Sequence, residues 1–500
     1  MKTNFTKTGL LLTIAGTLLF ACKQNNDGLN EKALESYYGL PEDSLQREAL
    51  RFLLRNMEDQ TAEIPVFSNF MTDSIVDLRF DTIANEAHLR SIIKGQKLIV
   101  SKKTIPDRQI IDSHVLVGNI NRAFQTWNAY PWAKRVPKDV FLNYLLPYKV
   151  YGEKPADWRS FFQSKYKPIM DSIISRQIEM NVESSNELYY KILVDEVGQW
   201  FKYDTHALHL TRFPGFEELM LSKRGECNRW SYLNVFILRS LGIPATVDII
   251  PVWGRKNASH TTEVFWDDET GKFRTPSGRE LFFPAKVFRY SFKKQNMWSD
   301  SIQPFVDANH FLLEYLQHNH WSDVTHEHTK TVNIQYTLNE QTDSNIAYIC
   351  VFNYGEWVPV YWGKINGKTK VSFVNMGAEI LYRIAIPYHN SYKIISKVFK
   401  ADDAGNLIYY LPDSKHKVDM ALHKVNTGSD SWVKRGEKYE LSMLDANGDW
   451  KQVETRICDG DSSLIFKNVP GKTLYKLLAV NEKKRLERIF TYENDAQIFY

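Results

Sequence analysis

The stretch that decides the fold of this 500-residue chain is RGECNRW at residues 224–230, which leads into a strongly apolar segment. The pattern predicts a helix from Asn228 to Leu241, apolar nearly all round, as is typical of a helix inside a core. Gly242 and Pro244 end it, and Gly225 permits a tight turn at its entrance. We therefore expect a buried helix with Cys227 at or near its N-terminus.

Cys227 has the features of a nucleophile. At a helix N-terminus, the partial positive charge and the free N–H groups favour a thiolate, and Arg224 and Arg229 add positive charge. The same N–H groups can bind a developing oxyanion. Downstream, His260 opens a predicted strand and can serve as general base and then acid. The alternative is a buried free thiol, because cysteine is among the most buried residue types.

These residues resemble the core of the transglutaminase-like superfamily. The resemblance rests on the Gly-x-Cys start, the helix ending LRSLGIPA at 238–245 and the downstream His260, and it covers roughly residues 190–290. It implies a papain-like α+β fold in which Cys227 and His260 are catalytic.

The third catalytic residue is unassigned. The family pattern places an Asp on the strand after His260 to orient the imidazole, but the corresponding segment, KFRTPSG at 272–278, contains no carboxylate. Candidates are Ser277, Thr275 and Asp248, or there is none. Where the family usually has an aromatic residue two positions after the His, this chain has Thr262.

The N-terminus predicts export. Lys2 and Lys7 precede an apolar run, Gly9–Phe20, which is shorter than the roughly 20 residues that a bilayer span needs. The tetrapeptide LFAC, ending at Cys22, resembles the lipobox of bacterial lipoproteins, which implies acylation of Cys22 and anchoring in membrane lipid. Lys23 favours an outer membrane. Ordinary secretion, with Cys22 incidental, is the alternative.

The rest of the chain divides by composition into a multidomain protein. We expect a lipoprotein signal peptide (1–21), a tether (22–30), a helical N-terminal region (31–185), the α+β core (186–295), a connector (296–330) and two all-β sandwiches (331–415 and 416–500). The layout and the motifs ALRFLLRNM (49–57), LLPY (145–148) and RIFTY (488–492) resemble multidomain lipoproteins of the Bacteroidetes type. That resemblance implies a galactose-binding-like last module.

Other features of the sequence limit the classes of molecule that this protein could bind. With 63 basic and 59 acidic residues the net charge is +4, which argues against nucleic acid. Four histidines, His318, His320, His326 and His328, could bind Zn²⁺, but residues on a loop edge need not converge; we expect no metal and no cofactor. The C-terminal aromatic residues could stack on sugar rings or pack in sandwich cores: Trp357, Tyr361, Trp362, Trp432, Trp450, Phe490 and Tyr492. Whether Cys350 and Cys458 pair is open.

Two functions from different classes remain. The first is a lipid-anchored cell-envelope enzyme that hydrolyses or transfers amide bonds of peptides or glycopeptides through Cys227 and His260. The second is a catalytically degenerate lipoprotein that binds glycan or partner protein at the surface.

Overall fold

The structure, a computed structural model, describes residues 29–180, 189–276, 283–295, 319–460, 463–482 and 484–500. It is a multidomain protein built from helices and several β-sheets. The predicted signal peptide, Cys22, most of the tether, Ser277 and most of the connector lie outside the described residues.

The N-terminal part is mainly helical, but it also contains a sheet that the sequence did not predict. Its helices are α1 (Glu31–Tyr37), α2 (Ser44–Asn56), α3 (Glu86–Gly95), α4 (Asp107–Ile110), α5 (Ser113–Ala129), α6 (Pro131–Lys134), α7 (Lys138–Val140) and α8 (Trp158–Met180), with 3₁₀ turns at Pro41–Asp43 and Phe80–Thr82 and a π-helical turn at Phe141–Leu145. The strands β1 (Thr61–Asn69), β2 (Ile75–Val76) and β3 (Leu98–Pro106) pair antiparallel in the order β2-β1-β3. β1 contains Pro65, and residues 101–104 of β3 are all exposed. Neither strand therefore shows the alternation on which strand prediction depends.

The central part is α+β. After a π-helical segment (Tyr190–Val197) it contains α9 (Gly198–Trp200), α10 (Phe216–Ser222), α11 (Cys227–Ser240) and α12 (Thr325–His328), and the strands β4 (Lys202–Tyr203), β5 (Arg224–Gly225), β6 (Ala245–Ile250), β7 (His260–Asp267), β8 (Lys272–Arg274), β9 (Phe288–Tyr290) and β10 (Trp321–Asp323). The predicted helix and the predicted strand that opens at His260 are confirmed. β6 precedes that strand, and a hairpin turn joins β7 to β8. The sheet runs β10-β9-β6-β7-β8, and α11 packs against β6 and β7 on one face.

Helix α11 is buried on all sides because the N-terminal helices cover the side that the sheet leaves open. Phe236 stacks on Trp158 of α8, with ring centroids 4.9 Å apart. The last turn contains Arg239, which is fully buried and donates to the carbonyl oxygens of Ala245 (2.8 Å) and Lys149 (2.5 Å). Burial lowers the pKa of Arg239 to about 10. The arginine thus ties the helix end to two neighbouring segments.

Two β-rich modules follow. The strands of the first are β11 (Thr331–Thr337), β12 (Ile346–Asn353), β13 (Glu356–Asn366), β14 (Lys370–Gly377), β15 (Ile380–Tyr388), β16 (Ser391–Ile394), β17 (Phe399–Ala401) and β18 (Leu407–Tyr409). They form one sheet, β11-β14-β13-β12-β15-β17-β18, with β16 paired to β15. Tyr336 of β11 stacks on Phe399 of β17, with centroids 5.5 Å apart, so the two ends of the sheet curl towards each other.

The second module consists of β19 (Asp413–Leu422), β20 (Lys438–Leu444), β21 (Trp450–Ile457), β22 (Leu464–Gly471), β23 (Tyr475–Ala479), β24 (Ile489–Glu493) and β25 (Ala496–Phe499). The pair β19-β22 and the sheet β21-β20-β23-β24-β25 enclose a shared core that includes Met420, Phe466, Leu441 and Phe490. Cys350 and Cys458 are buried free thiols.

Within the part of the chain that the structure describes, none of the helices combines the length and the apolar character that a membrane span requires.

The burial of α11 yields a first prediction. Phe236→Ala removes a fully buried ring and should lower the free energy of unfolding by about 3–5 kcal/mol. The matched control is Phe70→Ala, because Phe70 is 64% exposed and should change stability by about 0.5 kcal/mol or less. Urea denaturation followed by circular dichroism measures both. Equal effects of the two substitutions would contradict the central position of α11.

Candidate functional site

Cys227 is the first residue of α11, and the short strand β5 leads into it. β5 pairs in parallel with β4, so that Gly225 lies beside Tyr203. A Cβ atom at Gly225 would come within 2.1 Å of the Arg229 side chain. The glycine is therefore required by the close approach of Arg229 from the next helical turn.

The two arginines near Cys227 are bound to carboxylates. Arg224 forms ion pairs with Glu86 (2.9 Å) and Asp204 (2.8 Å). Arg229, 1% exposed, pairs with the buried Glu218. Their positive charges are thus largely compensated locally. The sequence did not reveal these carboxylates as partners because two of the three lie outside the motif by more than 15 residues.

The Cys227 thiol is half-buried, and its pKa is raised. Desolvation is the largest cause. Hydrogen bonds from the backbone N–H groups of Thr261, Asn228 and Cys227 itself act in the opposite direction, and the neighbouring Glu226 raises the pKa further. The expected influence of the helix N-terminus is therefore present, but burial outweighs it, and the resting group at neutral pH is the thiol.

His260 is the first residue of β7, opposite Ile250 of β6. Its ring stacks on Trp253, with centroids 5.7 Å apart and an interplanar angle of 27°. The backbone of the next residue, Thr261, is one of the groups that lower the pKa of the Cys227 thiol. The start of β7 therefore lies near Cys227, and the imidazole of His260 stacks on the Trp253 ring.

Glu263 holds β7 against α11 through hydrogen bonds. Its carboxylate accepts hydrogen bonds from Asn234 (2.7 Å) and Ser231 (3.2 Å), which lie along the same face of α11 as Cys227, and from Tyr189 (2.9 Å). These bonds set the position of β7 along the helix. Sequence analysis missed Glu263, although a carboxylate directly before the apolar residues 264–266 of the strand was a visible signal.

Asp248, a candidate third residue, is bound by other groups. It pairs with Arg289 through two bonds of 2.9 Å, and His328 Nε2 lies 2.6 Å from its Oδ2. Burial alone would raise the pKa of Asp248, but Arg289 and His328 outweigh it and lower the pKa. The histidine that contacts this carboxylate thus belongs to the histidine group considered as a metal site. Thr275 directly follows β8.

The other described histidines of that group have separate environments. His320 is buried, with Nε2 3.0 Å from Asp59, and His326 is exposed. Among the described residues there is no set of three potential metal ligands, whereas His318 lies outside them.

The loop between β6 and β7, which precedes His260, is held by the C-terminal module. Arg488, 1% exposed, donates to the carbonyl oxygens of Gly254 (2.7 Å) and Tyr500 (2.7 Å). Asn257 donates to the Leu486 carbonyl at 2.9 Å. Burial lowers the pKa of Arg488 to about 9. We call this set of contacts the loop clamp.

The first β-rich module completes the loop clamp. Ala258 donates its N–H to the Asn353 side chain at 2.8 Å. A Cβ atom at Gly254 would lie 2.4 Å from the Ile380 side chain, so only glycine fits there. The segment before His260 is thus fixed by residues more than 90 positions away along the chain.

Comparisons with known proteins add little to this geometry. Neither a scan against protein-family models nor a search of the curated proteins gives a match. Among solved structures, the chain is similar to red sea bream transglutaminase, with 8% identity over 88% of this chain and 76% of that chain, and a TM-score of 0.19. A TM-score this low does not establish a shared fold.

The pair of Asp248 and Arg289 yields a second prediction. Because the folded-state pKa of Asp248 is lowered, its carboxylate stabilises the protein above pH 4 and loses that effect as the pH falls through the lowered pKa. Asp248→Asn should therefore cost about 3 kcal/mol at pH 7, with a smaller difference from the unsubstituted protein at pH 3.5. Urea titrations at both pH values measure it. The control is Asp343→Asn, a fully exposed carboxylate; a pH-independent loss in Asp248→Asn would contradict the assignment.

The raised pKa of Cys227 yields a third prediction. Iodoacetamide should alkylate Cys227 more slowly than free cysteine at pH 7, with a rate that rises through a midpoint above the ordinary thiol pKa of about 8.5. Cys350 and Cys458, both fully buried, should react only after denaturation. Peptide mapping by mass spectrometry separates the thiols. A midpoint below pH 8 would show that a stabilised thiolate is present instead.

Proposed function

We propose that this chain is a lipid-anchored cell-envelope protein whose residues 186–295 form a transglutaminase-like core, with Cys227 as the nucleophile towards amide bonds. The observation that carries the proposal is the position of the Cys227 sulfur. It lies half-buried at the first residue of a helix fixed in the core, where nearby backbone groups lower the pKa of the thiol against the effect of burial. The proposed substrates are peptides or glycopeptides, and the proposed anchor is acylated Cys22.

The proposed reaction starts from the neutral thiol of Cys227. Because burial keeps Cys227 protonated, attack on a carboxamide requires a base that takes the proton as the S–C bond forms. His260, the neighbour of Thr261, is the proposed base. The backbone N–H groups would bind the oxyanion, the C–N bond would break, and the imidazolium would protonate the leaving amine. Water or a second amine would then release the acyl group from the thioester and restore the thiol.

A second candidate function, binding without turnover, is favoured by the contacts of Asp248. The carboxylate is bound by Arg289 and His328, and the thiol of Cys227 has a raised pKa. Both features are compatible with a protein that keeps the core but only holds glycan or partner protein at the surface.

One assay separates the two functions. The full chain is incubated with a pool of glutamine- and asparagine-containing peptides and hydroxylamine, and peptide hydroxamate is measured. The catalytic proposal predicts formation that Cys227→Ala abolishes and His260→Ala lowers by 100-fold or more. His389→Ala, an exposed histidine, is the control. Equal signal from the unsubstituted protein and Cys227→Ala would reject the catalytic function and leave the binding function.

A further inference from the structure

A cavity of about 370 Å³ lies between the sheet of the N-terminal part and the start of α10. Its walls include residues 63–67 of β1, the segment 75–80 and residues 210–218. Most of the side chains that line it are apolar, among them Ile64, Val66, Leu78, Phe80, Phe213 and Phe216. The volume is at the small end of the roughly 300–1,000 Å³ that ligand cavities span, which suits a single bulky side chain. We call this cavity the β1 pocket.

The β1 pocket lies at an edge of β1 to which a further strand cannot fully pair. β3 pairs with β1 over its whole length, whereas β2 pairs only with residues 67 and 68. On the β2 side, the Glu63 N–H donates to the Gly152 carbonyl at 2.8 Å. Because N–H groups alternate along a strand, the backbone nitrogen of Pro65 faces the same side, and proline has no N–H to donate. The pocket therefore suits a side chain better than a paired strand.

The charged groups in the wall of the β1 pocket are paired within the protein. Glu63 accepts a bond from the Arg212 side chain at 2.6 Å. Glu217 lies 3.3 Å from Lys154, and Glu218 forms an ion pair with an arginine of α11. The lining contains four carboxylates and one lysine, so an acidic group would be repelled. The apolar side chains are what remains for contact with a ligand.

One loop, residues 209–213, connects the β1 pocket to the start of α11. Asn228, the residue after the candidate nucleophile, donates from its side chain to the Arg212 carbonyl at 3.0 Å. His209 Nε2 lies 3.4 Å from the carboxylate of Glu226, the residue before it. Three residues of the same loop line the pocket: Leu210, Thr211 and Phe213. A peptide bound at the sulfur that crosses this loop would reach the pocket within a few residues, at about 3.3 Å per residue.

We propose that the β1 pocket is a specificity subsite that binds an apolar side chain of the substrate peptide, a few residues from the amide that Cys227 attacks. The inference rests on the proposed function, because it takes the substrate to be a peptide. Placing a leucine or phenylalanine side chain in the pocket removes apolar surface of both partners from water. A serine side chain gains little there, and an aspartate meets the carboxylates of the wall.

The test is binding of fluorescent glutamine-containing peptides to the full chain with Cys227→Ala, measured by anisotropy. In the peptide series, one position at a time on either side of the glutamine is leucine, phenylalanine, serine or aspartate. At one position, leucine or phenylalanine should bind about tenfold more tightly than serine, and aspartate no better than serine. The same series in the hydroxamate assay gives kcat/KM for the unsubstituted protein.

Two variants in the same background test the pocket itself. Ala156→Phe fills the cavity from a segment between helices and strands, and should reduce the preference for the apolar peptide to less than about threefold. Val66→Thr, nearly isosteric, places a hydroxyl in the wall and should reduce the preference by about threefold. The serine peptide should bind both variants as before. Val374→Thr, at a valine that is 47% exposed on β14, is the matched control, and circular dichroism checks that each variant is folded.

Two results would overturn the proposal. One is equal affinity of the apolar and serine peptides at every position. The other is a preference that both folded variants leave unchanged. The two proposals fail separately: a preference that the variants remove, without hydroxamate formation, would reject catalysis and leave the pocket as a peptide-binding site. Hydroxamate formation that Cys227→Ala abolishes, without any side-chain preference, would reject the pocket alone.

Discussion

The burial of α11 is the constraint on which the rest of this structure depends. A helix that is covered on every side cannot shift along its axis without opening the core, so its first residue has a fixed position. Arg239 holds the last turn through backbone carbonyls, and Glu263 holds β7 against the same helix. The position of the Cys227 sulfur is therefore a consequence of packing, and so is the desolvation that raises the pKa of the thiol.

The loop clamp extends this constraint to the C-terminal modules. Arg488 is buried, and its guanidinium donates hydrogen bonds to backbone carbonyl oxygens. It keeps the bond to Gly254 only while the second module remains in contact with the loop. The stacking partner of His260, Trp253, belongs to the same loop. The geometry of His260 thus depends on residues that lie after it by more than 200 positions. The all-β modules are part of the structural support of the candidate site.

The sequence predicted the parts of the fold that depend on local pattern. The helix after Cys227, the strand beginning at His260 and the β-rich C-terminal third follow from hydrophobic periodicity and turn residues. The sheet of β1, β2 and β3 was missed because its strands lack alternation. The partners of Asp248, Arg224 and Arg488 could not be predicted, since each pairing joins distant segments. The raised pKa of Cys227 also depends on how deeply neighbouring segments cover it.

The measurement that tests the account most directly is native-state hydrogen exchange of the α11 amides. If α11 is the centre of the structure, the amides of residues 231–240 exchange only through global unfolding, with protection equal to the free energy from urea denaturation. Exchange at the rate of the short peripheral helix α1 would contradict the account, because Cys227 would then have no fixed support.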